Sequence, residues 1–268
     1  MRVLVVVPTY NEAENIERLL RLVRDVLPGA GLLVVDDGSP DGTAGLADAL
    51  QGELGDLHVL RRAEKSGLGS AYRVGFAWGL ERGYDACVEM DADFSHDPGA
   101  LPDLLVPLAH GYEVAIGSRY VPGGSIPNWS WHRHLLSWGA NRYASLALGL
   151  SVADSTAGFR VYAASVLRRL DLTAIRAEGY GFQIEMTYRS KQAGARIAEV
   201  PISFVDRVAG TSKMSSAIVV EAFGLVALWG IERLWATATG RRPAAARPLT
   251  AGKVPAARPA PGGGPAPD

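Results

Sequence analysis

Residues 86–98 read ACVEMDADFSHDP. An apolar run with the look of a buried strand ends on Glu89, and Asp91 and Asp93 follow at once. Gathering carboxylates costs repulsion and desolvation, so this arrangement calls for a positive partner. In extended chain, residues two apart leave the same side, so Asp91 and Asp93 can reach one hard cation together. Mg²⁺ or Mn²⁺ suits such oxygen ligands and usually keeps a substrate phosphate in its shell. His96 has no His or Cys at zinc spacing and is expected to be a turn residue.

The same grammar recurs upstream and downstream. RVLVVVP (2–8), LLVVDD (32–37) and EVAIGSR (113–119) are short, β-branched and continuously apolar, as buried strands are. Between them lie helical periods, such as Ile16, Leu19, Leu20, Val23 and Leu27. Buried strands alternating with helices predict an α/β fold, a mostly parallel sheet with helices on both faces. In such sheets ligands bind beyond the carboxyl ends of the strands. Here those ends carry PTYNE, DDGSPDG, DAD and GSRY. Neither the dinucleotide G-x-G-x-x-G nor a P-loop is present, which disfavours nicotinamide and Walker-type chemistry.

The 268 residues suffice for one large domain without disulfides. The single cysteine, Cys87, sits in the apolar run and fits a reducing compartment. The apolar run at the start is too short for a signal peptide, so a cytoplasmic protein is expected. Net charge is −1, but residues 237–268 hold five basic residues and one acid, leaving −5 on residues 1–236. That balance argues against a nucleic-acid partner. The Pro/Ala/Gly-rich tail at 237–268 is expected to be disordered. Before it, a helix at about 214–236 has a longest apolar run, AFGLVALWGI, of ten residues. Spanning a bilayer takes about 20. The helix is therefore expected to pack on the core or to lie in a membrane interface.

Taken together, VVVPTYNEAENI, VVDDGSPDGT, EKSGLGSAY, MDADFSHDP, GSRYVPGG, GFRVY, GYGFQIEM and EVPISFVDRVAGTSKM resemble the dolichol- or polyprenol-phosphate mannose synthases. These are inverting family 2 glycosyltransferases of the GT-A fold. The resemblance covers about residues 2–234, as one GT-A domain over 1–236. It implies mannose transfer from GDP-mannose to a polyprenyl phosphate. Pro8, Tyr10 and Glu12 would line the nucleotide pocket, Val35 and Asp37 would hold base and ribose, and Asp91, Ala92 and Asp93 would meet the diphosphate and metal. Some relatives add a glutamine ligand where this chain has Ser95, a weaker donor. Arg119, Arg133 and Ser137 would dock the acceptor phosphate, with Arg119 also near the donor. Arg207 and Lys213 would close over the diphosphate from a loop that Gly210 lets move. Because a phosphate nucleophile is already ionised, no strong general base is required.

The lipid acceptor implies a peripheral position on the cytosolic face of the membrane, with a membrane-protein partner possible. Trp129, Trp131 and Trp138 suit that surface, and the basic tail would add weak attraction to anionic lipid. The competing readings are a polyprenyl-phosphate glucosyltransferase that uses UDP-glucose, and a non-catalytic nucleotide-sugar sensor.

Overall fold

The computed structural model describes residues 1–175, 177–206 and 216–239. Strand β1 (Val3–Thr9) is followed by α1 (Ile16–Val26), β2 (Gly31–Asp36), α2 (Thr43–Ala49), α3 (Gln51–Leu54) and β3 (Leu57–Arg61). Then come α4 (Leu68–Glu81), β4 (Ala86–Glu89), α5 (Leu101–Ala109) and β5 (Val114–Ser118). The second half contains α6 (Trp131–Leu148), β6 (Arg160–Ala163), α7 (Ala164–Arg169), α8 (Gly179–Gln192), β7 (Ile197–Pro201) and α9 (Ser216–Thr239). The strands form one sheet in the order β3-β2-β1-β4-β6-β5-β7. The β1–β2, β2–β3, β1–β4 and β5–β7 pairings are parallel.

Side chains alternate across the sheet, as the strand period requires. Leu4, Val6, Leu33 and Val35 pack under α4 with Phe76 and Tyr72. Val5, Val7, Leu32 and Val34 face the other way, onto the Ile16, Leu19, Leu20 and Val23 stripe of α1. Helix α4 lies unusually close to the sheet. A Cβ at Gly75 would sit 2.4 Å from Val6 Cγ1, and one at Gly79 would sit 2.8 Å from Leu4 Cδ2. Only glycine permits that approach.

Two features depart from the expectation. Strand β6, within the segment quoted only as GFRVY, inserts antiparallel between β4 and β5. Its brevity hides it from a periodicity argument. Helix α9 continues to Thr239, past the expected boundary at 236. It packs on the core along one side and leaves apolar side chains exposed on the other. Ala222 and Val226 are buried, whereas Leu228, Ile231, Leu234 and Trp235 are exposed. Gly230 comes within 3.4 Å of Ala147 of α6, counted from an ideal Cβ. Among the described residues no helix is long and apolar enough to cross a membrane.

The β4–β6 pairing sets Glu89 opposite Arg160. Both are fully buried. Burial pushes the Glu89 carboxyl up to about 8, against the opposing pull of Arg160 and the nearby Gln183 amide. Arg160 donates to the carbonyls of Ala157 (2.6 Å), Ser155 (2.6 Å) and Gln183 (3.0 Å) and to Thr187 Oγ1 (2.6 Å). Replacing it with Met would strand those acceptors and remove the cation facing Glu89. We expect Arg160→Met to lose about 3–5 kcal/mol in denaturant titration, the scale for breaking a buried charged network.

Candidate active site

The sheet order reverses between β1 and β4: the chain runs from β1 to β2 on one side and later returns to place β4 on the other. Ligands favour the crevice at such a switch point. Here a cavity of about 340 Å³ opens at the carboxyl ends of these strands. Its wall contains Pro8, Tyr10 and Glu12 from the end of β1, Asp37 after β2, and Asp91, Asp93 and Ser95 after β4. Arg119 enters from the end of β5.

The loops behind these side chains are held by hydroxyl–carboxylate bonds. Thr9 Oγ1 donates to Asp36 (2.9 Å), which also accepts from the Ser39 backbone (2.9 Å) and hydroxyl (2.6 Å). The backbone N–H groups of Asn11, Glu12 and Ala13 donate in turn to Ser39 Oγ, Thr43 Oγ1 and Asp41. Most of the DDGSPDGT stretch is therefore scaffolding for the β1 loop, and Asp37 alone of its acids lines the cavity. Asp37 is clasped by Arg62 at 2.5 and 2.8 Å.

After β4, the Tyr72 hydroxyl donates to Asp91 at 3.1 Å and the Ser95 N–H to Asp93 at 3.0 Å. Between them Phe94 adopts a left-handed φ of 58°. Such a conformation is uncommon for a bulky residue and marks a tightly determined turn. His96 is not a turn residue on the surface. It is buried, stacks on Phe159 at 5.2 Å, and burial depresses it to about 4. It is neutral at physiological pH and supplies no counter-charge to the acids.

Five carboxylates (Glu12, Asp37, Asp91, Asp93, Glu178) and two cations (Lys65, Arg119) line the cavity among the described residues. No cluster there gathers three or more His, Cys, Asp or Glu side chains able to hold a metal ion. Two hard carboxylates, with Ser95 beside them as a weaker oxygen donor, fit Mg²⁺ or Mn²⁺ that arrives with phosphate oxygens, not a fully protein-caged ion. Ser95 is buried against Asp93 through its backbone and also lines the wall.

Arg119 is not an open cation. Its Nε and Nη2 pair with both oxygens of Asp154 at 2.7 Å, and Nη2 also donates to Thr156 Oγ1 at 2.8 Å. Burial alone would raise the Asp154 carboxyl, but Arg119 holds it below the usual range. These bonds do not use Nη1. The indole of Trp129 and the ring of Phe204 lie 5.8 and 5.4 Å from the guanidinium.

Several expected residues fall elsewhere. Val35 has no exposed surface and Ala92 is buried on the opposite core face, so neither lines the cavity. Arg133 and Ser137 share one face of α6 but lie outside its wall. Arg133 is half-exposed and pairs with Asp206 at 2.9 Å. Trp131 and Trp138 are exposed, whereas Trp129 is half-buried and donates to Asp206 at 3.0 Å. Arg207, Gly210 and Lys213 lie outside the described residues, as does the tail from Gly240.

The residues missed in the sequence are the partners of the site. Lys65 sits 4.3 Å over the Tyr10 ring. Glu178 accepts the Gly69 (2.7 Å) and Ser70 (3.1 Å) N–H groups at the start of α4. Asp154 belongs to the DST stretch at 154–156, whose one cue was three polar residues before an apolar strand.

Residues 4–171 match the model of glycosyl transferase family 2, and the chain belongs to that family. It is a glycosyltransferase with the GT-A fold. It is 52% identical over 235 residues to an undecaprenyl-phosphate mannosyltransferase of Micrococcus luteus, covering 88% of this chain and 96% of that one. It is 50% identical to a polyprenol monophosphomannose synthase of Mycolicibacterium smegmatis, over 86% of this chain and 87% of that one. A glucosyl-3-phosphoglycerate synthase from Mycobacterium tuberculosis, solved with Mn²⁺ and UDP, shares the fold at 21% identity. The TM-score is 0.58, over 90% of this chain and 80% of that one.

The two-carboxylate site generates a thermodynamic expectation. Calorimetry should find Mn²⁺ binding weak alone and at least about tenfold tighter once a nucleoside diphosphate is present, because phosphate oxygens complete the shell. Equal affinity in both conditions would contradict it.

Proposed function

We propose that this chain transfers mannose from GDP-mannose to a polyprenyl phosphate, with inversion at the sugar carbon, and releases polyprenyl-phospho-mannose and GDP. The observation that carries this is the juxtaposition at one switch point of an acid pair suited to a metal–diphosphate and an arginine suited to a second phosphate. The names of the relatives at 50–52% identity support mannose as the sugar and a polyprenyl phosphate as the acceptor.

On this reading Tyr10, Glu12 and Asp37 bind the nucleoside. Asp91 and Asp93 would hold Mg²⁺ or Mn²⁺, which when bound stabilises the charge of the departing diphosphate as a Lewis acid. Arg119 orients the acceptor phosphate, and its pairing with Asp154 fixes the plane of the guanidinium. Arg133 and Ser137 lie further out on α6, where an incoming phosphate headgroup meets them first. Arg is suited to both positions because its planar fork matches phosphate. The cavity's imidazole, His96, is neutral and buried, so the chemistry relies on a nucleophile that arrives ionised. Arg207 and Lys213 are proposed to close over the diphosphate.

The lipid is met at a surface formed by α6 and α9. Trp131 is 74% exposed and Leu136 64% on the first turns of α6, with Leu135 and Trp138, and Trp235 is 69% exposed on α9, with Leu228 and Leu234. Apolar exposure of this kind on two neighbouring helices suits an interaction site. Its aromatic content suits a headgroup boundary, so we place the protein peripherally on a membrane. The mannosyltransferase domain is assigned to residues 1–239, through the end of α9, and 240–268 to a basic tail.

Purified protein with Mg²⁺ or Mn²⁺, polyprenyl phosphate in detergent and labelled GDP-mannose should yield label in the organic phase. UDP-glucose in parallel should yield none; lipid product from UDP-glucose alone would overturn the donor. Asp93→Ala should abolish transfer by losing metal-dependent donor binding. Arg133→Ala should raise the KM for the lipid about 10-fold or more, as for loss of a charge-assisted hydrogen bond, with GDP affinity unchanged. Trp131→Gln with Leu136→Gln should reduce co-sedimentation with anionic vesicles several-fold, since each exposed side chain forfeits its transfer from water.

A further inference from the structure

We propose that Asn141 is a positioning residue of the acceptor-phosphate site, holding α6, and with it Arg133 and Ser137, in register with Arg119. The proposal rests on the assignment of those three residues to the acceptor phosphate.

Helix α6 is sparsely anchored. Of its 18 residues only Asn141, Ala144 and Leu148 are buried. The first two and a half turns, which carry Arg133 and Ser137, bury nothing fully and expose Trp131, Leu135, Leu136 and Trp138. Asn141 is the first buried residue met along the helix and the one polar member of the three. It is 2% exposed.

Its amide is saturated. Nδ2 donates to the Ser137 carbonyl and to Thr156 Oγ1, both at 3.1 Å. Oδ1 accepts the Ser155 N–H at 2.8 Å and the Ser155 hydroxyl at 3.0 Å. A primary amide offers two donors and two acceptor positions, and all four are used. Its orientation is not arbitrary, because a backbone carbonyl must face the nitrogen and a backbone N–H must face the oxygen.

Thr156 carries the connection onward. Its hydroxyl accepts from Asn141 Nδ2 and from Arg119 Nη2 (2.8 Å), and donates to Asp154 Oδ1 (3.2 Å). Asp154 is itself held from β7, where Glu199 accepts the Ala153 (2.8 Å) and Asp154 (3.0 Å) N–H groups. One line of bonds thus runs from Ser137 through Asn141 and Thr156 to Arg119. The covalent path between Arg119 and α6 is a loop, which does not fix their separation. If two cationic groups are to engage one phosphate, that separation decides whether both reach it.

The test uses the full chain with Mg²⁺, reading the KM for polyprenyl phosphate, the Kd for GDP and the melting temperature. Asn141→Asp keeps the acceptor oxygen and sets a second oxygen against the Ser137 carbonyl. Thr156→Val deletes the bridging hydroxyl at nearly constant shape. Each should raise the lipid KM about 10-fold while GDP affinity stays within about twofold, the scale of a lost charge-assisted or buried hydrogen bond. Thr156→Ser should recover most of what Thr156→Val loses. If Asn141→Asp fails to fold, the Thr156 pair decides alone. Arg119→Ala is the reference. If it raises the lipid KM while the Asn141 and Thr156 variants do not, the positioning role is wrong and the site assignment stands. A parallel loss of GDP affinity and lipid affinity would show a purely structural role and overturn the proposal. If Arg119→Ala leaves the lipid KM unchanged, the assignment itself fails and the proposal with it.

Discussion

Arg160 is a guanidinium with no exposed surface, set into the sheet opposite Glu89. Much of the site depends on it. Through its donors it ties β6 to the 155–157 loop and to α8. The loop carries Thr156 and Ser155, and α8 begins at the cavity with Gly179 and Tyr180. A buried cation is costly unless its donors are satisfied. The carbonyl acceptors around Arg160 meet that demand, and in doing so they join β6, the 155–157 loop and α8, from which Thr156, Ala157 and Gln183 line the cavity. Arg160 also faces Glu89 across the β4–β6 pair and pulls down a carboxyl that burial raises.

The second constraint is that an acid-rich cavity must accept anionic substrates. Internal pairing reduces the conflict. Asp37 is matched by Arg62, and Glu178 by Arg73 and the start of α4. Asp91 and Asp93 receive a hydroxyl and a backbone N–H from Tyr72 and Ser95. Two carboxylates side by side at a strand end make a poor anion site and a good cation site. On the proposed reading, a metal carried on the donor diphosphate would reverse the local sign, so the donor and its ion would bind together. Arg119, by contrast, has much of its charge matched by Asp154. Its value lies in fixed direction more than in raw attraction, a pre-organisation that costs nothing at the moment of reaction.

The third is geometric. On the proposed reading, a lipid phosphate has to reach this cavity from a membrane interface. Helices α6 and α9 pack closely where Gly230 meets Ala147, and their outer faces carry the exposed apolar side chains. The polar face of the same α6 carries Arg133 and Ser137. On the proposed reading a single helix adjoins both the lipid-facing surface and the approach to the site, and the bonds of Asn141 join it to the Arg119 side of the cavity.

The sequence by itself determined the α/β class, the parallel strands and the polar clusters at their ends, because hydrophobic period and chain length are local properties. It also brought the clusters PTYNE, DDGSPDG, DAD and GSRY to one edge, since in a parallel sheet strand ends converge, and Pro8, Tyr10, Glu12, Asp37, Asp91, Asp93 and Arg119 from them line one cavity. The tertiary structure alone decided the rest. β6 is four residues long and antiparallel, and no period betrays so short a strand. His96 looked like part of an exposed turn, yet long-range contact with Phe159 and Phe204 buries it. Asp154, Asn141 and Glu199 are ordinary polar residues in sequence; they matter because residues tens of positions apart saturate one another's hydrogen bonds. Val35 lies in β2, where the alternation of the pleat turns it into the core, and Ala92 lies in the turn after β4 with its side chain in the opposite core cluster. Local pattern names the elements; which polar groups are paired, and so which remain to meet a ligand, follows only from how the elements pack.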